Sequence, residues 1–117
     1  MADLTLERER YVEALERDLE SLVEQLRSMP EVHKVILFGS YSQGRRDLFT
    51  DLDLLVIMES DQDFVTRGAD LAGKLRAGVA LDLLAYTPEE MDRIRERPFI
   101  RHALKTGKVL YERESQG

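Results

Sequence analysis

Between two apolar runs, ending at Phe38 and beginning at Leu54, the chain carries Gly39-Ser40, a polar loop and then Asp51-Leu52-Asp53. Two carboxylates leading into an apolar strand constrain the fold more than any other feature. Side chains alternate along a strand, so residues two apart project from the same face. Like charges that close repel one another unless water or a cation relieves them. A solvated strand start is one solution. A divalent cation is the other, and an oxygen-only ligand set favours Mg²⁺ or Mn²⁺ over zinc.

Asp82 bears on that choice. It is the one charged side chain in "VALDLLAY", flanked by Leu81 and Leu83, and a buried carboxylate without a partner is costly. If its strand lies beside that of Asp51 and Asp53, three carboxylates converge on one edge and suffice for two metal ions, one for a triphosphate and one for an attacking hydroxyl. On an edge-strand face open to water, Asp82 is simply solvated. The turn before them is informative in the same conditional way. A glycine directly after a strand permits a sharp turn and close approach to a ligand, and the N–H groups that follow can hold phosphate oxygens. Ser40 adds a hydroxyl, and Arg45 and Arg46 are available as phosphate partners. An ordinary Gly-Ser turn explains the same residues.

Periodicity places these residues. Tyr11, Val12, Leu15, Leu19, Leu22, Val23 and Leu26 recur at helical spacing, and Pro30 ends the pattern. "HKVILFG", "DLDLLVIM" and "VALDLLAY" read as strands, the second with both faces covered. "DFVTRGADLAGKLRAG" reads as a helix with Phe64, Val65, Leu71, Ala72 and Leu75 on one face and Gly78 as a stop. Thr87, Pro88 and Glu90 form a capping-box start for the next helix, which Pro98 separates from "FIRHALKTG". "KVLYE" is either an edge strand or a docking segment. The order predicts a small mixed sheet covered by helices, of α/β or α+β class.

At 117 residues the chain reads as one domain, 1–117, with an N-terminal helix (1–30), a core (32–86) and a C-terminal helical segment (87–117). A net charge of -6 argues against general nucleic-acid binding. One basic stretch, residues 93–108, carries six Lys/Arg against one Glu, either as a solvated helix face or as a docking surface. Cysteine is absent, which excludes disulfides and thiolate zinc sites. No apolar run is long enough to span a bilayer, so a cytoplasmic location is expected. The long first helix is expected to pack on its own sheet, with self-association as the alternative use of its surplus apolar surface. His33 and His102 read as surface or packing residues. Tyr41, Tyr86 and Tyr111 are structural, with base stacking as the rarer alternative.

The combination resembles the nucleotidyltransferase superfamily that includes DNA polymerase beta, most closely its minimal nucleotidyltransferase branch. Gly39-Ser40, the ten residues Tyr41 to Thr50, Asp51-Leu52-Asp53 and a third aspartate, Asp82, on a later strand follow that pattern. The resemblance covers Val32 to Tyr86, and the ending "ALKTGKVLYE" is also similar. Thr50 departs from the serine of many relatives but keeps the hydroxyl, and the loop "RRDLF" is more basic and apolar than usual. The resemblance implies a polymerase beta palm-like fold in which Asp51 and Asp53 bind Mg²⁺. Asp82 would complete the metal site and assist deprotonation, and Gly39 and Ser40 would hold the β and γ phosphates of ATP. Short members of this branch are often encoded beside a helical HEPN-type partner. The implied activity is therefore that of an antitoxin transferring AMP from ATP to a hydroxyl of its toxin. Neutralisation by contact alone with an idle site, and transfer to a small molecule, are the alternatives.

Overall fold

A strand that is apolar at consecutive positions needs cover on both faces, and the arrangement of the helices supplies it. The computed structural model describes residues 4–114; residues 1–3 and 115–117, the ends of the expected 1–117 unit, lie outside the described residues. Along the chain run α1 (Leu4–Arg27), β1 (Val32–Phe38), the single turn α2 (Gly39–Ser42), β2 (Leu52–Met58) and α3 (Phe64–Lys74). They are followed by β3 (Leu81–Tyr86), α4 (Pro88–Ile94), α5 (Pro98–Thr106) and β4 (Lys108–Glu112). The sheet order is β3-β2-β1-β4, with β1 antiparallel to β2 and β4, and β2 parallel to β3. The fold is thus the expected mixed sheet covered by helices, and "KVLYE" is one of its two edge strands.

Alternation divides the core in two. Val35, Leu37, Leu54 and Val56 face one side, where Leu15, Leu22 and Leu26 of α1 and Leu71 of α3 meet them. Ile36, Phe38 and Leu55 face the other, against Met91 of α4 and Ile100 and Ala103 of α5. The α1 stripe turns toward the sheet as its spacing predicts: Leu15, Leu22 and Leu26 are fully buried and Tyr11 and Leu19 pack half-buried against the same core, whereas residues 4–10, ahead of the stripe, are exposed, Leu4 at 65%. The capping box of α4 forms as its sequence predicts: Thr87 Oγ1 accepts from Glu90 N and Glu90 Oε1 accepts from Thr87 N.

α3 differs from the reading of its periodicity. Leu71 is buried and Leu75 half-buried, but Phe64, Val65 and Ala72 are exposed and the helix stops at Lys74. The inward position goes instead to Arg67, 2% exposed. Its Nη1 donates to Ala85 O (2.9 Å) and Glu90 Oε1 (2.6 Å), and its Nη2 to Gln62 O (2.7 Å) and Glu90 Oε2 (3.1 Å). This bidentate pair joins α3, β3 and α4 with nearly every donor used; Nε alone has no partner. The Arg67 guanidinium holds the Glu90 carboxyl below its usual range.

Removing Arg67 leaves the half-buried Glu90 carboxylate without its cation and the Ala85 and Gln62 carbonyls without their donor. Arg67→Ala should lower the unfolding free energy by about 3 kcal/mol in chemical denaturation. Arg17→Ala, which breaks only an exposed pair with Glu13 at 4.0 Å, should change it by less than about 0.5 kcal/mol.

Candidate functional site

Strand register brings the acidic residues together. Phe38 of β1 pairs with Asp53 of β2, and Asp53 pairs with Asp82 of β3. The three stand in one row across the sheet, on the face covered by α4 and α5. Asp51 lies two residues before Asp53, and one carboxylate oxygen from each of Asp51, Asp53 and Asp82 falls within 4.8 Å of the others. Asp51 and Asp53 are half-buried. Asp82 is exposed, contrary to the burial its apolar neighbours suggested, because β3 is an edge of the sheet and water reaches its side chain. The adjacency of its strand to β2 is as expected.

β1 ends against this cluster. Gly39 has φ +80°, and a Cβ there would collide with the Asp53 carboxylate. Glycine is therefore needed twice, for the backbone angle and for the close approach. The α2 turn then closes as Ser42 Oγ donates to Gly39 O (2.7 Å) and Arg45 N donates to Ser40 O (3.0 Å). Ser40 itself is half-buried beside Gly39.

The loop between α2 and β2 is clamped by Asp47 and Thr50. Asp47 Oδ1 accepts from Phe49 N (2.8 Å) and from the Thr50 hydroxyl (3.1 Å), while Asp47 N donates to Thr50 Oγ1 (2.9 Å). Tyr11 of α1 donates to Thr50 O at 2.7 Å, fixing the peptide just ahead of Asp51. Arg45 donates to Asp47 Oδ2 at 2.8 Å and holds that carboxyl below its usual range. Arg46 stacks on Tyr41 at 3.6 Å and donates to Tyr41 O. Both arginines are thus engaged within the loop.

A cavity of about 490 Å³ opens at the carboxylates. Gly39, Asp53 and Asp82 line it from the sheet, with Phe99, His102 and Thr106 from α5. Arg45 and Arg46 are not among its lining residues. Nor are the three tyrosines: Tyr41 lies under Arg46, Tyr86 stacks on Phe64 and Tyr111 lies under Arg27. The aromatic groups at the cavity are Phe38 and Phe99, which sequence reasoning passed over, and His102 lines it rather than merely facing solvent. The spacing of Phe99, His102 and Thr106 marks one helix face, but no local signal shows that this face fronts the acids. His33 sits elsewhere, 3.2 Å from Glu59.

The donor set fits a hard divalent cation: three carboxylates within reach of one ion, with oxygen the only donor type. The charge balance agrees. Burial, then the charge of Asp51, then the hydrogen bond to Asp82 and its charge push the Asp53 carboxyl up to about 7. A bound cation would relieve that repulsion and favour the ionised form.

Known proteins resemble this chain in sequence and in fold. Residues 20–116 match the family model described as polymerase beta, nucleotidyltransferase. A Methanocaldococcus jannaschii protein, provisionally named a protein adenylyltransferase, is 32% identical over 100 residues, covering 82% of this chain and 97% of that protein. The crystal structure of a provisionally named nucleotidyltransferase from Sulfolobus solfataricus superposes with a TM-score of 0.56 at 19% identity, over 98% of this chain and 93% of that one. That likeness is one of fold. A chain of a toxin–antitoxin complex crystallised with AMP-PNP superposes with a TM-score of 0.55 at 26% identity, over 81% of this chain and 73% of that one.

The raised Asp53 pKa carries a sign. A carboxyl whose folded pKa lies above its unfolded value of about 3.9 contributes stability below about pH 4, which is lost as pH rises through about 7. In EDTA the melting temperature should therefore fall between pH 5 and pH 8. Asp53→Asn should remove most of that fall, worth about 4 °C after allowing for solvent screening of the open site. Mg²⁺ at pH 8 should raise the melting temperature of the unmodified protein and leave the variant nearly unchanged, as read by differential scanning fluorimetry.

Proposed function

The chain belongs to the polymerase beta nucleotidyltransferase family, and from that premise we propose that it transfers AMP from ATP to a hydroxyl of a protein partner. The observation that carries this reading is the convergence of Asp51, Asp53 and Asp82 beside the glycine turn that opens α2. Asp51 and Asp53 are the proposed Mg²⁺ ligands, with Asp82 completing the set; Mn²⁺ is the alternative ion. When bound, the metal supplies charge neutralisation at the triphosphate and at the departing pyrophosphate.

The roles of the chain's own residues follow from their placement. Gly39 leaves the backbone bare next to Asp53, so that it and Ser40 can meet the β and γ phosphates without a side chain between. Arg45 and Arg46 are proposed for the outer phosphate charge, for which they exchange their present partners, Asp47 and Tyr41. Asp82 is open to water on an edge strand, where an incoming hydroxyl has access, and it takes the proton as that oxygen attacks the α phosphorus. The new oxygen–phosphorus bond forms as the bond from the α phosphorus to the α–β bridging oxygen breaks, and pyrophosphate leaves. Holding these groups in line is most of what such a site contributes.

The partner is read as the HEPN-type toxin of a toxin–antitoxin pair, acting in the cytoplasm, where ATP is at hand. Two likenesses support it: the relative named as a protein adenylyltransferase and the structural neighbour in a toxin–antitoxin complex with AMP-PNP. In this reading residues 32–86 form the catalytic core, and α1 and residues 87–117 form its flanks.

Intact-mass spectrometry tests the proposal. Proteins that co-purify with this chain from its native cell should gain whole AMP units after incubation with Mg²⁺, ATP and the unmodified protein. An Asp51→Asn, Asp53→Asn double variant should add none, a loss of more than about a hundred-fold. A stably bound partner with no mass gain under any nucleoside triphosphate would instead assign neutralisation to contact alone.

A further inference from the structure

Phe99 lies in the first turn of α5, and 59% of it is exposed. It is not a loose surface residue. Its ring stands at 89° to that of Phe38, with centroids 5.8 Å apart. Phe38 is buried and is the register partner of Asp53. The perpendicular contact fixes the Phe99 ring next to the carboxylate row yet leaves more than half of it open. The same cavity is bounded by Asp53 and Asp82 and by the apolar groups Leu84 and Ala103. At about 490 Å³ it lies within the range of pockets that hold small ligands.

A triphosphate gains nothing from a phenyl ring and a leucine wall. With its α phosphate at the carboxylates, a nucleotide has one part that does gain, the planar base. We propose that Phe99 is the platform on which the base of the donor nucleotide stacks, so that α5 selects the base and favours purines, whose larger π-face stacks better, over pyrimidines. Gln43, at the end of α2, and His102, one turn after Phe99, supply the polar groups at the cavity for the base edge. The inference rests on the nucleotidyl-transfer reading of the carboxylates and adds the group that chooses the nucleotide.

Isothermal titration calorimetry with two probes tests it, each with Mg²⁺: ATP carrying a methylene α–β bridge, which cannot be transferred, and inorganic tripolyphosphate. Phe99→Ala should weaken the nucleotide analogue about ten-fold or more, the loss expected for one stacked base, and leave tripolyphosphate unchanged. Phe99→Tyr should bind both as the unmodified protein does, and the cytidine analogue should bind the unmodified protein more weakly than the adenosine analogue. Equal weakening of both probes in Phe99→Ala would reduce Phe99 to a structural residue. An unchanged analogue affinity would hand the aromatic wall to the acceptor, and either result overturns the proposal. If the unmodified protein bound neither probe, nucleotidyl transfer itself would fall, and the base platform with it.

Discussion

Three carboxylates held within 4.8 Å of one another are the constraint around which the rest of the molecule is arranged. Left to themselves they would separate, and the strained charge balance is visible in the Asp53 carboxyl, pushed up to about 7. What holds them is the register of the sheet. Asp53 and Asp82 are paired positions on parallel strands, and those strands are fixed by apolar burial on both faces, Leu54 and Val56 on one and Leu55 on the other. A one-residue slip would turn the entire strand over. The core thus sets the geometry of the acids, and their repulsion is offset by the hydrophobic effect rather than by any ion pair among the described residues.

The two faces of the sheet divide the labour. The face under α1 and α3 closes with Leu15, Leu22 and Leu26 at complete burial. The other face is covered by two shorter helices, α4 and α5, and between α5 and the sheet a cavity remains beside the acids. Coupling between the faces runs through a few polar contacts. The Tyr11 hydroxyl on Thr50 O ties the long helix to the peptide before Asp51, and the Arg67–Glu90 pair ties α3 to the cap of α4. Each is a buried or half-buried hydrogen bond spanning elements far apart in sequence, which is where such bonds do most to fix a unique arrangement.

The features closest to the chemistry were legible where the physics is local. Gly39, Asp51 and Asp53 lie within fifteen residues of one another, and strand alternation alone put the two aspartates on one face. The Thr87-Pro88-Glu90 cap was legible for the same reason. Features that depend on partners distant in the chain were not. Arg67 lies off the apolar spacing that favoured Val65 and Ala72, and its burial is made tolerable by Glu90, twenty-three residues on, with Ala85 O and Gln62 O accepting beside it. Phe99 and His102 sat in a basic stretch that read as a solvated face or a docking surface.

The sequence by itself determined the order of the main elements, the mixed sheet, the two acids at the start of β2 and the glycine before them, because each rests on periodicity, backbone angle or spacing over a few residues. The tertiary structure alone decided that Asp82 joins those acids while remaining open to water, that Arg45 and Arg46 are held by Asp47 and Tyr41, and that α5 lends Phe99 to the cavity. Strand order and helix placement settle those matters. They are set by the burial of the whole core, a sum over contacts that no short stretch of sequence contains.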